Sequence, residues 1–378
     1  MRSLRGLNCL LTGASRGIGL SIVRRLAEEG VNLALVARSG ERLDEVAAEA
    51  RSTFGVRAVG IAADLVDPCA RAAAVDRAAA ELGPITLLVN NAGTIEWTHF
   101  ARQTPEAVRG LVELNLVASL DLARMLLPGM LERRDGAIVS VSSLSGKKGI
   151  PFEAAYSATK AGVTQWSSAL RMELRGTGVG VTVVLPSAVS DVGLFAVRGI
   201  PAPRAVGAVP ADDVARAVVR GLRDSPPELV VRRGPTRPLL MVDAASPGLG
   251  DRIIRALGVH KLHERLARQG EAGATRVGDT ADVRSPARPR RTARAGRHLV
   301  ASTLGCAFAA TGTDKTGVAP KIGLLGAKGG PTATIPLLRG SPALNAIPRA
   351  ECAFGRDQRG VRRPQQRRCD IGAYERKP

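Results

Sequence analysis

Tyr156 and Lys160 stand four residues apart in YSATKAGVTQWSSALRMEL. That segment's pattern predicts a helix, so both side chains should leave the same face. An ammonium beside a phenol favours the phenolate, and is expected to lower the tyrosine pKa from ~10 toward the working range. Such a phenol can protonate a developing alkoxide or take the proton back. Ser143 follows the apolar run AIVSVS (137–142) and can supply a hydroxyl that polarises a carbonyl. A lone YxxxK is most often a pair on the surface of a helix, so the assignment depends on what accompanies it.

The first accompanying feature is Thr12-Gly13-Ala14-Ser15-Arg16-Gly17-Ile18-Gly19, which follows the run NCLLT (8–12) and opens a helical pattern. Glycines there let the backbone turn sharply and approach a pyrophosphate, whose charge faces the helix N-terminus. The end of the next apolar run selects the dinucleotide. NAD sites usually place an acid there to hold the ribose 2′-hydroxyl. This chain has Val36-Ala37-Arg38-Ser39 instead. Arg38 and Arg16 offer two guanidinium groups to a 2′-phosphate, which favours NADP(H).

Elements that could position these groups are legible up to about residue 232. Apolar runs at 8–12, 31–37, 56–62, 86–90, 137–142, 179–185 and 228–231 read as strands covered on both faces. Helix-length stretches lie between them, with apolar residues at spacings such as Ile18, Ile22 and Leu26. The alternation predicts an α/β, doubly wound, Rossmann-type parallel sheet of seven strands with helices on both faces. Residues 233–270 read as a loop, GPTRP, followed by one amphipathic helix, RIIRALGVHKLHERLARQ, in a position to lie over a substrate pocket.

With these motifs in this order, the sequence resembles the short-chain dehydrogenase/reductase family, over about Leu7 to Val231. Thr12, Gly13, Gly17 and Gly19 match that family's cofactor loop, and Asn90-Asn91-Ala92-Gly93 matches its NNAG motif. Asp64, in AADL, matches an acid that contacts adenine; Asn115, in ELNLVAS, matches a helix asparagine that holds a water in the proton relay. Ser143, Tyr156 and Lys160 match the catalytic serine, tyrosine and lysine. The resemblance implies hydride transfer between nicotinamide and a carbonyl or secondary alcohol, with Tyr156 handling the proton. Lys160 would also hold the nicotinamide ribose, and Asn115 would connect it to solvent. Ser15, Arg16, Ile18, Leu65, Asn91, Ala92, Gly93, Pro186, Ser187 and Val189 would line the cofactor, and the assembly would be a homodimer or homotetramer. One run departs from the pattern: in Pro186-Ser187-Ala188-Val189-Ser190-Asp191, Ser187 replaces a glycine and Asp191 stands near a threonine. Both are polar and are expected still to hydrogen-bond the carboxamide. Ile95, Trp97, Phe100, Ile150, Phe152, Leu194 and Phe195 either flank a pocket for a hydrophobic substrate or pack a lid.

Composition bounds the rest. The chain has 378 residues, 45% of them apolar and only 3% aromatic, so its core must be aliphatic. Of the formal charge of +20, residues 271–378 carry +12, from 20 Lys and Arg against 8 Asp and Glu. That basic stretch lacks the aromatic stacking positions of single-strand binders, so specific nucleic-acid binding is not expected. Five cysteines show no CxxC pair and no metal-ligand spacing. No apolar run reaches the ~18 residues of a membrane span, and no signal-peptide pattern is present, so the first part reads as cytoplasmic. Three segments are expected: a catalytic domain (1–270), an Arg/Pro/Ala-rich linker (271–310) and a poorly ordered basic tail (311–378). Residues 323–375, with GLLGAKGGPTATIPLLRGSPALNAIP and DQRGVRRPQQRRCDIGAYE, resemble the end of secreted right-handed parallel β-helix proteins, in which Cys352 and Cys369 could pair. Two further readings remain at this point, a dinucleotide-binding scaffold without catalysis and a bifunctional surface protein acting through the tail.

Overall fold

The computed structural model describes residues 2–192, 207–233 and 236–274, and two short strands at 347–348 and 368–369. Seven parallel strands, β1 (Asn8–Thr12), β2 (Asn32–Ala37), β3 (Ala58–Ala62), β4 (Leu87–Asn90), β5 (Gly136–Val141), β6 (Val179–Pro186) and β7 (Glu228–Val231), form one sheet in the order 3-2-1-4-5-6-7. All seven coincide with the expected apolar runs to within two residues at either end. The order reverses between β1 and β4, and an open α/β sheet takes its ligand at such a switch point, beyond the strands' C-terminal ends.

Helices cover both faces. α1 (Ile18–Glu28) and α2 (Gly40–Phe54) lie on one side with α7 (Ala211–Asp224), burying Ile22, Leu26, Leu43, Val214 and Val218 against β1, β2 and β6. α3 (Pro68–Leu82), α5 (Ala118–Arg133) and α6 (Ala154–Glu173) cover the other, burying Ala74, Leu122, Met130 and Leu170. Local chemistry sets the boundaries. Asp67 caps α3 by accepting from the Cys69 amide, with Pro68 in the first turn. Gly55 ends α2 in the left-handed region at φ +69°. Thr104 caps α4 (Pro105–Val112) by accepting from the Ala107 amide.

Asn115 does not sit in a regular helix. It lies in a π-helical turn, Glu113–Val117, between α4 and α5. The C-terminal part also departs from the expectation. The GPTRP stretch runs into a helix, α8 (Thr236–Ala245), and the expected single helix is two, α9 (Pro247–Ala256) and α10 (Val259–Ala274). The break falls at Gly258, whose φ of +74° is open to glycine and interrupts a helix.

The described chain divides into two compact units, Met1–Ser285 and Pro286–Pro378. In the second, β8 (Ile347–Pro348) and β9 (Arg368–Cys369) pair antiparallel. The remaining residues of the linker and the β-helix-like tail lie outside the described residues, as do Leu194 and Phe195.

Candidate active site

The glycine loop leaves β1 and is fastened to the loop after β4. Thr12 Oγ1 accepts from the amides of Asn91 and Ala92, each at 3.0 Å, and Asn91 Nδ2 donates to the carbonyls of Thr12 and Gly13 at 3.0 and 3.2 Å. A Cβ on Gly13 would come within 2.9 Å of Ala92 Cα, and one on Gly19 would overlap the Gly13 carbonyl. Gly17 holds φ +61° at the N-cap of α1, and neither a side-chain cap nor an acidic residue occupies that helix's first turn. Bare amides at a helix N-terminus beside a cradle without Cβ atoms fit a pyrophosphate. Ser15 and Ile18 are half-buried in this turn, and Arg16 is exposed. Arg38 is exposed where the chain leaves β2, next to β1. Asp64 is exposed after β3 and accepts from the Val66 amide at 3.1 Å, while Leu65 is buried.

Across the switch point, Gly93 lies against Asn115 and Lys160: a Cβ there would meet Asn115 Oδ1 at 3.2 Å and Lys160 Nζ at 3.4 Å. Asn115 is buried. Its Oδ1 accepts from the Thr94 amide, and its Nδ2 donates to the Thr94 carbonyl and Thr159 Oγ1. Both side-chain donors are thus used within the protein. Lys160 Nζ donates to the Val141 carbonyl at 2.9 Å and stands 5.8 Å from the centre of the Tyr156 ring. Ser143, just past β5, hydrogen-bonds Tyr156. The structure therefore brings Asn115, Ser143, Tyr156 and Lys160 together, next to Gly93 of the NNAG motif.

The electrostatics differ from the expectation in one respect. Burial and the charge of Glu153 push the Tyr156 phenol above its ordinary range, and the Ser143 hydrogen bond only partly opposes them. The lowering anticipated from Lys160 is not what the site shows: the desolvation of the phenol itself is the largest influence on it, and burial separately brings Lys160 down to about 8.

Pro186 is buried at the end of β6, and Val189 bridges to Val209. The polar groups of this loop are spent on the chain itself. Ser187 Oγ donates to the Gly207 carbonyl at 3.2 Å, and Asp191 Oδ1 accepts from the Ala211 amide at the start of α7. The side chains expected to reach the carboxamide are therefore engaged with their own backbone.

The apolar loop residues do not act as one set. Trp97 is buried with Leu262, Leu266 and Ala267 of α10, and Ile95 and Phe152 pack against this cluster. Phe100 is 62% exposed. Trp97, Ile95 and Phe152 are thus packed against α10. A concavity of 490 Å³ is lined by Ile150, Pro151, Ala154 and Ala158 among others, and neither Tyr156 nor Lys160 is part of its lining. Sequence reasoning missed Glu153. It is 3% exposed at the N-cap of α6, and Trp97, Ser145 and His263 gather around it. A lone acid between apolar neighbours, three residues before the tyrosine, was its only signal. His263 had none.

Among the described residues no group of His, Cys, Asp or Glu is arranged to hold a metal, and no helix is long and apolar enough to cross a membrane. The sequence profile described as short chain dehydrogenase matches residues 8–196. The ketoacyl reductase HetN of Nostoc sp. is 38% identical over 272 residues, covering 71% of this chain and 94% of that protein. The 3-oxoacyl-[acyl-carrier-protein] reductase of Escherichia coli (strain K12) is 32% identical over 185 residues, covering 49% and 74%. Of solved structures, L-sorbose reductase from Gluconobacter frateurii complexed with NADPH and L-sorbose aligns with a TM-score of 0.57 at 26% identity, over 61% of this chain and 97% of that one. An actinorhodin polyketide ketoreductase variant with NADPH aligns with a TM-score of 0.54 at 32% identity, over 60% and 95%. With the sheet order, the loop geometry and these relatives in agreement, the chain belongs to the short chain dehydrogenase family.

Proposed function

We propose that the chain is an NADP(H)-dependent oxidoreductase that reduces a ketone, or oxidises the matching secondary alcohol, on a hydrophobic substrate of the ketoacyl kind. The observation that carries this reading is the convergence of Ser143, Tyr156 and Lys160 beside Gly93, at the mouth of the β1–β4 switch point. Arg38 leaves the end of β2 and Arg16 lies in the loop after the neighbouring β1, and Ala37 stands where an acid would hold a 2′-hydroxyl, which supports the phosphorylated dinucleotide. The two solved relatives were captured with NADPH, and HetN is a ketoacyl reductase. A homodimer or homotetramer and a cytoplasmic location complete the proposal.

In this reading the amides opening α1 take the pyrophosphate, with Gly13 and Gly19 letting the loop close on Ala92 and on itself so that those amides are presented. When bound, the nicotinamide supplies or accepts the hydride. The Ser143 hydroxyl orients the substrate oxygen, and Tyr156 gives that oxygen its proton in reduction and removes it in oxidation. Lys160, protonated below about pH 8, supplies positive charge behind the phenol and holds the ribose. Asn115 holds the Thr94 backbone and Thr159 beside Lys160, which keeps the base of the relay in place.

The test is cofactor binding to the purified chain, NADPH against NADH, with Arg38→Asp in parallel and a ketone screen to follow. Expected are tighter NADPH binding, a loss of at least about tenfold in the variant, and turnover that Tyr156→Phe abolishes while NADPH still binds. Equal affinity for the two dinucleotides would remove the arginine argument. Turnover unchanged in Tyr156→Phe would remove the mechanism.

A further inference from the structure

Glu153 and His263 form a buried acid–imidazole contact that the mechanism above does not use. Glu153 ends the loop before α6, and His263 comes from α10. They are 3% and 6% exposed. Ser145 Oγ donates to Glu153 Oε1 at 2.5 Å, and Trp97 Nε1 donates to Oε2 at 3.1 Å. His263 Nε2 lies 3.5 Å from that same Oε2.

The other ring nitrogen decides what this contact requires. His263 Nδ1 is 2.9 Å from the Val259 carbonyl. A carbonyl only accepts, so Nδ1 carries a hydrogen. A neutral His263 therefore turns the lone pair of Nε2 toward Glu153. A lone pair against a carboxylate oxygen, away from water, is repulsive, and a single proton on the pair relieves that repulsion. The proton can reside on the acid or on the imidazole; the count is one in either case. Burial pushes Glu153 up to about 7, against the hydrogen bonds from Ser145 and Trp97. Burial lowers His263, with the charge of His260 adding to it and the Val259 bond opposing it. Both directions favour the neutral acid with the neutral ring at pH values below about 7.

Tyr156 lies in the first turn of α6, three residues after its N-cap Glu153, and the Glu153 charge is one of the two influences that raise the phenol. His260, whose charge acts on His263, and His99 meet the Phe152 ring edge-on at 5.3 and 5.0 Å. We propose that Glu153 and His263 share a single proton and act as a positioning pair for Tyr156, placing no net charge near the phenol while the proton is held and one negative charge once it leaves. The proposal rests on the reading of Tyr156 as the proton donor. The sign follows from Coulomb's law: the negative charge of the deprotonated pair keeps the phenol protonated to higher pH, which is the form carbonyl reduction needs. Because His263 belongs to α10, the docking of that helix becomes part of the site's protonation state.

Two measurements on the full chain test this. The chain has two tryptophans, so Trp166→Phe with excitation selective for tryptophan leaves Trp97 as the only indole emitter, and its N–H is bonded to Glu153. In that background, emission should step with a midpoint near neutral pH; Glu153→Gln should abolish the step and His263→Gln should displace it by about one pH unit. Emission that is flat across about pH 6–8, or an unchanged step in Glu153→Gln, overturns the shared proton. The second measurement is the pH dependence of kcat for carbonyl reduction. Its alkaline limb should move down by about one pH unit in Glu153→Gln, with NADPH affinity unchanged. A limb that stays in place overturns the positioning role. If Glu153→Gln does not fold, His263→Gln decides through its own emission step and limb. A correct emission step with no turnover on any ketone supports the shared proton, and the role toward Tyr156 then falls together with the proposed function.

Discussion

Lys160 is held in a place where its charge is disfavoured. It is 5% exposed, its ammonium has one protein acceptor in the Val141 carbonyl, and burial has brought it down to about 8. Between that value and its ordinary 10.5, the unfolded chain carries a proton that the folded chain does not. Stability contributed by this group therefore rises with pH across that window. Lys160→Met removes the titration. The expected outcome is that the variant's stability relative to the wild type falls as the pH rises from about 7 to 10, by up to about 3 kcal/mol. Urea melts at both ends of the range, without dinucleotide, check it. A difference independent of pH would show that the ammonium is not desolvated. The same burial explains why Tyr156 is not lowered as YxxxK spacing alone predicts: spacing sets which side chains are neighbours, and desolvation sets what the neighbours do.

At the scale of elements, the site depends on a turn that no periodicity announces. The π-helical turn Glu113–Val117 turns Asn115 inward, and Arg71 of α3 holds that turn from behind. The Arg71 guanidinium is buried, bonded to Glu113 at 2.8 Å, to Asp121 of α5 at 3.0 Å and to the Leu65 carbonyl at 2.7 Å. Burial alone would raise Asp121; the bonds from Arg124 and Arg71 outweigh it and hold the carboxyl below its usual range. Arg71→Leu leaves two acids and a carbonyl without their common partner. We expect a loss of about 3 kcal/mol in chemical denaturation, together with weakened cofactor binding, since the Leu65 carbonyl belongs to the same edge as Asp64. A loss under about 0.5 kcal/mol would show that the three contacts do not act as one joint.

At the scale of the whole molecule, the described residues of the site belong to the unit Met1–Ser285, and the unit Pro286–Pro378 carries most of the excess positive charge. A chain ended after Ser285 is expected to keep its NADPH affinity and to melt within about 1 kcal/mol of the full chain. Unfolding of the shortened chain, or loss of its cofactor binding, would assign the second unit a structural role. A shift only in retention on an anionic surface would report the missing charge.

The sequence by itself determined the strands, the glycine cradle, the NNAG loop and the Tyr156–Lys160 face. These depend on short-range rules: apolar runs covered on both faces, residues that must lack a Cβ, and side chains four apart on a helix. Tertiary structure alone decided the π turn at Asn115, the break at Gly258, the use of Ser187 and Asp191 by their own backbone, and the burial of Trp97 under α10. It also decided the charge states. Glu153 and His263 are 110 positions apart in the chain, and only the docking of α10 on the loop before α6 removes both from water and sets one against the other. Desolvation is a property of everything packed around a group, and no local pattern of residues encodes it.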